Sequence, residues 1–222
     1  MKQVELNESV YARNDSIAQR VRQQLDAHGI RMFNLLGTPG SGKTTLLEQL
    51  LREDAQHIAV IEGDLFTDED TQRVRACGAQ AVQLNTQGAC HLEADAIEAA
   101  LAQLNLDGIT TIVIDNVGNL VCTAEFALGE HKRIAVISVT EGNDKPRKYP
   151  LIFQTSDFVV LNKMDLLPYT DFDPVRFAQD VYALNPHAEI LHCSAVRGDG
   201  VQKLREYMTG NWEQEEWPWS ES

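Results

Sequence analysis

The stretch GTPGSGKTT, residues 37–45, constrains this chain more than any other. It matches G-x-x-x-x-G-K-S/T from Gly37 to Thr44, between a short apolar run, RMFNLLG, and a helix-like segment, KTTLLEQLL. That strand–loop–helix setting is the one such a motif requires. Gly37, Gly40 and Gly42 let the backbone wrap so that its N–H groups face phosphate oxygens, and the following helix adds its positive end. Thr38, Pro39, Ser41 and Thr45 complete the loop. Lys43 is expected to reach the β- and γ-phosphates, and the Thr44 hydroxyl to coordinate Mg²⁺.

The rest of the chain continues the alternation. HIAVIEGD, AQAVQL, TTIVID, RIAVISV, DFVVLNKMD and AEILHCSA read as further strands. The near-continuous apolar runs among them suit strands buried on both faces. Helical spacing appears in DEDTQRVRACG, at 90–104 (Cys90, Ala94, Ile97, Leu101, Leu104), at about 174–184 and from Val201 to Met208. Ile17, Val21 and Leu25, followed by Gly29, predict a leading helix over about 12–28. The expectation is an α/β fold: a doubly wound, mostly parallel sheet with helices on both faces and ligands at the carboxyl ends of its strands. At 222 residues one such domain, residues 1–210, is expected. An acidic tail, 211–222, carries all three tryptophans; it is either disordered or docked on the body or a partner.

The formal charge of −14 argues against nucleic acid and anionic membranes as partners. No run approaches the length of a membrane span, and the first residues carry no apolar secretion signal, so a cytoplasmic location is expected. In that compartment Cys77, Cys90, Cys122 and Cys193 are core residues or ligands rather than disulfides.

The end of DFVVLNKMD addresses the base. The Asp165 carboxylate can accept from the N1 and N2 hydrogens of guanine, and Lys163 can lay its stem over the ring. Asn162 belongs to the same N-K-x-D tetrapeptide, and Ser194 and Ala195 of CSA can offer a backbone N–H to guanine O6. The order P-loop, NKxD, SA resembles that of the P-loop GTPases. Asp115 ends a buried strand near the expected Mg²⁺ shell, and DNVG, residues 115–118, fits D-x-x-G. Asp64 is either a second magnesium-side carboxylate, able to orient water, or a strand-end turn residue or helix cap. Lys43, Asp64 and Asp115 are the expected catalytic set.

Five segments narrow this further: VIEGD, NTQGACHLEADAI, DNVGNLVCTAEFALGE, VTEGNDKPRKYP and LNKMDLLPY. Together they resemble the hydrogenase nickel-incorporation GTPases, the HypB family, related to the urease accessory and signal-recognition GTPases. The resemblance covers roughly residues 12–210. It implies GTP hydrolysis to GDP and phosphate, and the intrinsic rate is expected to be slow because no arginine is evidently placed to act as a finger. It implies a homodimer formed through the nucleotide and metal face, and delivery of nickel, with a maturation partner, to the large subunit of nickel–iron hydrogenase. It further makes Cys90, His91 and Cys122 metal ligands for Ni²⁺, with Zn²⁺ able to occupy the same site. Three such ligands leave one position open for tetrahedral Zn²⁺ or square-planar Ni²⁺.

The residues pose one difficulty. Neighbours inside a helix diverge by about 100°, so Cys90 and His91 can share an ion only if Cys90 lies at or before the first turn. Otherwise Cys90 is a small core residue on the helix stripe. The chain also departs from the family. Residues 1–30 hold no cysteine and one histidine, His28, so tight N-terminal nickel storage is not expected. Thr123 replaces the usual proline, which should loosen the backbone beside Cys122, and Ala127 replaces a common aspartate. Lys145 and Lys148 either reach a nucleotide, across the dimer, or are an ordinary solvated pair. Alternative functions are a urease-type client, or a metal-binding docking module in which GTP is mainly structural.

Overall fold

The computed structural model describes residues 2–64, 69–85 and 90–210, without the side chains of residues 2–9 and of Asp64. The tail at 211–222 and the expected role of the Asp64 carboxylate lie outside the described residues. The expected strands are all present: β1 (Arg31–Gly37), β2 (Ile58–Asp64), β3 (Gln80–Asn85), β4 (Thr111–Asp115), β5 (Lys132–Ser138), β6 (Phe158–Asn162) and β7 (Glu189–His192). They form one sheet in the order β3-β2-β4-β1-β5-β6-β7, with every pairing parallel.

Between them run α1 (Lys2–Ala27), α2 (Lys43–Asp54), α3 (Glu69–Ala76), α4 (Ala94–Leu101), α5 (Cys122–Glu125), α6 (Lys145–Lys148), α7 (Pro150–Thr155), α8 (Pro174–Leu184) and α9 (Val201–Thr209). α1 begins well before the expected residue 12, because its apolar stripe occupies only its second half. There Ile17, Val21 and Leu25 are buried. Asp173 fixes the start of α8, its carboxylate accepting from the N–H groups of Val175 and Arg176, with Pro174 in the first helical position.

Strand alternation sorts the core into three clusters. Phe33 and Leu35 of β1 pack with Val113, Val136 and Val160 beneath α2, α3 and α9. Met32, on the opposite face, joins Ile61, Ile112 and Ile114 beneath α1 and α4. Leu36, Ile137 and Leu161 meet Phe153 and Phe177 of α7 and α8. β4 and β6 are buried at every position, whereas the edge strands β3 and β7 are half open. Emptying such a fully buried position, by Leu→Ala for example, typically costs about 2–5 kcal/mol.

The chain steps outward from β1 to β2 and β3, returns through β4, then builds β5 to β7 on the other side. The carboxyl ends of β1 and β4 therefore lie at the switch of winding, where open α/β sheets place their ligands.

Candidate functional site

The phosphate loop leaves β1 at Gly37 and enters α2 at Lys43. Gly40 and Gly42 take the left-handed region, φ +76° and +96°, which a side chain strains. A Cβ on Gly42 would stand 2.4 Å from Asn162 Nδ2, and one on Gly37 2.5 Å from the Val136 carbonyl oxygen. The loop borders a cleft of about 460 Å³ that also takes in Asp115 to Gly118 and Lys163. Lys43 is buried there, its Nζ 3.5 Å from the Thr38 carbonyl oxygen.

Thr44 Oγ1 donates to Asp115 Oδ2 at 2.9 Å, while Asp115 Oδ1 is buried with no hydrogen-bond partner among the described residues. Burial pushes the Asp115 carboxyl up, against the opposing effects of Lys43 and the Thr44 hydroxyl. A buried carboxylate oxygen with spare acceptor capacity beside a phosphate loop suits Mg²⁺, whose charge would favour the ionised form. The residues fit that ion.

The base side is braced by Asn162. Its Nδ2 donates to the Ser41 carbonyl at 2.9 Å and its Oδ1 accepts from the Ala195 N–H at 3.0 Å. The residue is buried, so it links the phosphate loop to the β7 loop, and the Ala195 amide is engaged with it. Asp165 accepts from Ser194 Oγ at 2.6 Å, and that bond holds its carboxyl below the usual range. Lys163 donates to the Gly40 carbonyl at 2.6 Å, laying its stem over the loop. Its φ of +62° is the one left-handed value at a non-glycine among the described residues. Such strain, of order 1–2 kcal/mol, persists where the surroundings over-determine it.

Sequence reasoning missed Arg73. It lines the cleft, pairing with Glu48 at 2.8 Å and Asp70 at 2.9 Å and donating to Thr45 Oγ1 at 3.3 Å. Its position on α3, facing α2 from another crossover, has no local sequence signal. Lys145 and Lys148 are not among the lining residues of the cleft; they pair locally with Glu141 at 3.7 Å and Asp144 at 2.6 Å.

Cys90, His91 and Cys122 come together. One ligand atom from each lies within 4.8 Å of the others, and Cys90 Sγ is 3.6 Å from His91 Nδ1. The helix expected from residue 90 begins only at Ala94, with Glu93 as its N-cap. Cys90 and His91 thus sit in irregular chain, free of the 100° divergence of helical neighbours. Cys90 is exposed and off the buried stripe of Ala94, Ile97 and Leu101, which removes its reading as a core residue. The far ring nitrogen of His91 lies 3.6 Å from Glu93 Oε1, the outer carboxylate that often orients a ligating histidine. A hydrogen bond with Cys90, then burial, raises the Cys122 thiol. Cys193 packs in the core and the half-buried Cys77 against it, as expected, and burial pushes Cys193 up to about 12.

The Cys122 segment is tied to the nucleotide side through Asn119. Asn119 forms an antiparallel bridge with Gly37 of the phosphate loop. Its side chain accepts from the N–H groups of Val121 at 2.7 Å and Cys122 at 3.3 Å. Thr123 Oγ1 donates to the Asn119 carbonyl at 2.7 Å, so the residue that replaces proline restrains the turn instead of loosening it. Behind them runs a buried polar chain: Asn116 Nδ2 to Asn34 Oδ1 at 3.0 Å, Asn34 Nδ2 to Glu130 Oε1 at 3.2 Å, and Arg133 Nε to the same carboxylate oxygen at 2.6 Å. Arg133 then holds the carbonyls of Ala124 and Phe126 at 2.9 and 2.8 Å. Burial alone would raise the Glu130 carboxyl; Arg133 and the Leu128 N–H outweigh it and hold it low.

A glycine-rich loop between β1 and α2, a buried carboxylate ending β4 and an Asn-Lys-x-Asp turn ending β6 define a P-loop nucleotide-binding protein. Residues 31–192 match the family described as CobW/HypB/UreG, nucleotide-binding domain. The hydrogenase maturation factor HypB of Escherichia coli is 45% identical over 204 residues, 91% of this chain and 70% of that protein. The probable hydrogenase maturation factor HypB of Methanocaldococcus jannaschii is 40% identical over 92% of this chain and 94% of its own length. The crystal structure of HypB from Helicobacter pylori in complex with nickel superposes with a TM-score of 0.85 at 36% identity, covering 88% of this chain and 93% of that one. This chain belongs to the CobW/HypB/UreG family and, within it, to the HypB hydrogenase maturation factors.

Proposed function

We propose that this chain hydrolyses GTP to GDP and phosphate and uses the nucleotide state to control nickel at Cys90, His91 and Cys122, in maturation of nickel–iron hydrogenase. The observation that carries the reading is the closeness of those three ligands, within 4.8 Å, with Cys122 on a segment bridged to the phosphate loop through Gly37 and Asn119. The nickel complex of the Helicobacter pylori relative supports nickel as the cargo. Zn²⁺ fits the same donors.

Lys43 and the backbone N–H groups of the loop from Gly37 to Thr45, Pro39 apart, bind the phosphates; Thr44 and Asp115, with Asp64, would hold Mg²⁺, whose charge would offset that of the transferring phosphoryl group. Asp165 and Lys163 read guanine, and Asn162, Ser194 and Ala195 keep those two loops against the phosphate loop. Asp64 and Asp115 orient the attacking water. Gly118, whose Cα lies against Pro39, carries the N–H that meets the γ-phosphate. Presence of that phosphate reshapes the segment 115–130 and with it the geometry around Cys122. The hydrolysis is slow alone, since Arg73 is held by two carboxylates. The working unit is a cytoplasmic homodimer joined through the nucleotide and metal face, serving a maturation partner and the hydrogenase large subunit.

The test measures phosphate release with GTP and ATP for wild type and Lys43→Ala, alongside hydrogenase activity in cells whose own homologue is deleted. GTP-specific release lost in Lys43→Ala, with hydrogenase restored by wild type only, supports the reading. Equal release by both proteins overturns its enzymatic half, and failure to restore hydrogenase overturns the client.

A further inference from the structure

The two halves of the Cys/His group come from segments far apart in the chain, residues 90–93 ahead of α4 and Cys122 in α5. Their spacing is set by a third element. Asn14 of α1, 4% exposed, donates from Nδ2 to the Ala127 carbonyl at 2.8 Å and accepts at Oδ1 from the Ala94 N–H at 2.9 Å. Ala94 is the first residue of α4, whose own N-cap, Glu93, makes no side-chain cap bond. One amide therefore caps the helix that follows Cys90 and His91 and grips the chain that follows Cys122. A turn earlier on the same face, Tyr11 stacks on Phe126, centroids 5.1 Å apart, and Phe126 stacks on the His91 ring at 4.2 Å and 13°. Tyr11 also donates to Glu125 Oε2 at 3.4 Å.

We propose that the N-terminal helix is a wall of the metal site, with Asn14 the residue that positions the Cys90–His91 pair against Cys122 and Tyr11, through Phe126, setting the His91 ring. The proposal rests on the reading of that group as a metal site. The position demands an amide. An aspartate would keep the acceptor for Ala94 but lose the donor to Ala127, placing a carboxylate against a carbonyl. A leucine of similar size offers neither. Orienting groups just beyond metal ligands commonly change affinity by about 10–100-fold.

The experiment compares full-length wild type, Asn14→Asp, Asn14→Leu and Tyr11→Ala, all loaded with GDP. Ni²⁺ and Co²⁺ affinities are taken by competition with a chromophoric chelator, and the thiolate-to-cobalt charge-transfer band is recorded. A metal-free readout follows the rate at which diamide, a two-electron thiol oxidant, forms the Cys90–Cys122 disulfide, mapped by peptide mass spectrometry. The proposal predicts metal binding weaker by about 10-fold or more in both Asn14 variants, a changed charge-transfer band in all three, slower disulfide formation in the Asn14 variants, and GDP affinity within about 2-fold of wild type. Folded Asn14 variants with wild-type affinity, band and disulfide rate overturn it. Should Asn14→Leu not fold, an unchanged Asn14→Asp and Tyr11→Ala overturn it equally. Wild type that binds no metal while its disulfide rate still depends on Asn14 overturns the metal reading and leaves Asn14 as a clamp on the two segments alone.

Discussion

Gly37, the first residue of the phosphate loop, and Asn119, three residues ahead of Cys122, are paired as an antiparallel bridge. A residue of the glycine-rich loop and a residue of the turn that carries Cys122 thus share backbone hydrogen bonds, and the Asn119 side chain carries the link on to the Cys122 N–H.

Removing that side chain should separate the two functions. Asn119→Ala leaves the backbone bridge but frees the N–H groups of Val121 and Cys122, a loss of about 1–2 kcal/mol of local order. Nickel affinity is expected to fall roughly 10-fold with little change in GDP affinity, both read by titration calorimetry. An equal fall in the two affinities would contradict a local role.

Gly118 stands where a Cβ would come within 2.8 Å of both Pro39 Cγ and the Pro39 nitrogen. Gly118→Ala must push the 115–119 segment away from the phosphate loop. Misplacement on the scale of 1 Å costs on the order of 100-fold in rate, so single-turnover hydrolysis should drop by about that factor while GDP still binds. Wild-type hydrolysis in this variant would show that the segment does not need its contact with Pro39.

The carboxylate at Asp165 is held ionised by Ser194 and accepts only. Asp165→Asn turns half of that surface into a donor, which repels the guanine N1 and N2 hydrogens and matches the 2-carbonyl of xanthine. Loss of a hydrogen bond to a charged group costs about 1.5–3 kcal/mol, so GDP affinity should fall 10- to 100-fold and xanthosine diphosphate should bind better than GDP. Competition with a fluorescent nucleotide reads both.

His131 makes stability depend on pH. Its Nδ1 accepts from the Met32 N–H at 2.9 Å and its Nε2 faces Asp26 Oδ1 at 3.0 Å, so the neutral ring is satisfied and a second proton has no place. Burial, then Arg22, pushes its pKa down to about 4 from 6.5. Between those values the unfolded chain binds the proton and the folded chain does not, so stability rises with pH across that window and is lost as pH falls. The difference amounts to about 3 kcal/mol between pH 7.5 and pH 4. Denaturant midpoints measured from pH 7.5 to 4.5 should fall steadily, and His131→Asn should flatten that slope; an unchanged slope would assign it elsewhere.

The parts legible in the sequence share a physical cause. β4 and β6 announced themselves as apolar runs because both faces are covered, and the glycines of the phosphate loop because left-handed backbone excludes side chains. The start of α4 was misplaced because Cys90 happens to continue the apolar stripe of Ala94 and Ile97, although the chain there is irregular. Asn14, Asn34 and Asn116 left no trace at all. Each is a buried polar side chain whose partner lies elsewhere in the fold, and pairing across 80 or more residues, as in Asn14 with Ala94, produces no local pattern. Their signal is the buried hydrogen bond itself, visible only once the chain is folded.

The central claim, that nucleotide state governs the metal at Cys90, His91 and Cys122, is tested most directly by nickel binding at equilibrium in two nucleotide states. Wild type and Cys122→Ala, each loaded with GDP and then with a non-hydrolysable GTP analogue plus Mg²⁺, are dialysed against nickel and assayed for bound metal. The account predicts that wild type changes its nickel affinity by about 5-fold or more between the two states, a coupling of at least about 1 kcal/mol, and that Cys122→Ala binds weakly in both. Nickel bound equally by wild type in the two states, or retained by Cys122→Ala, would contradict it.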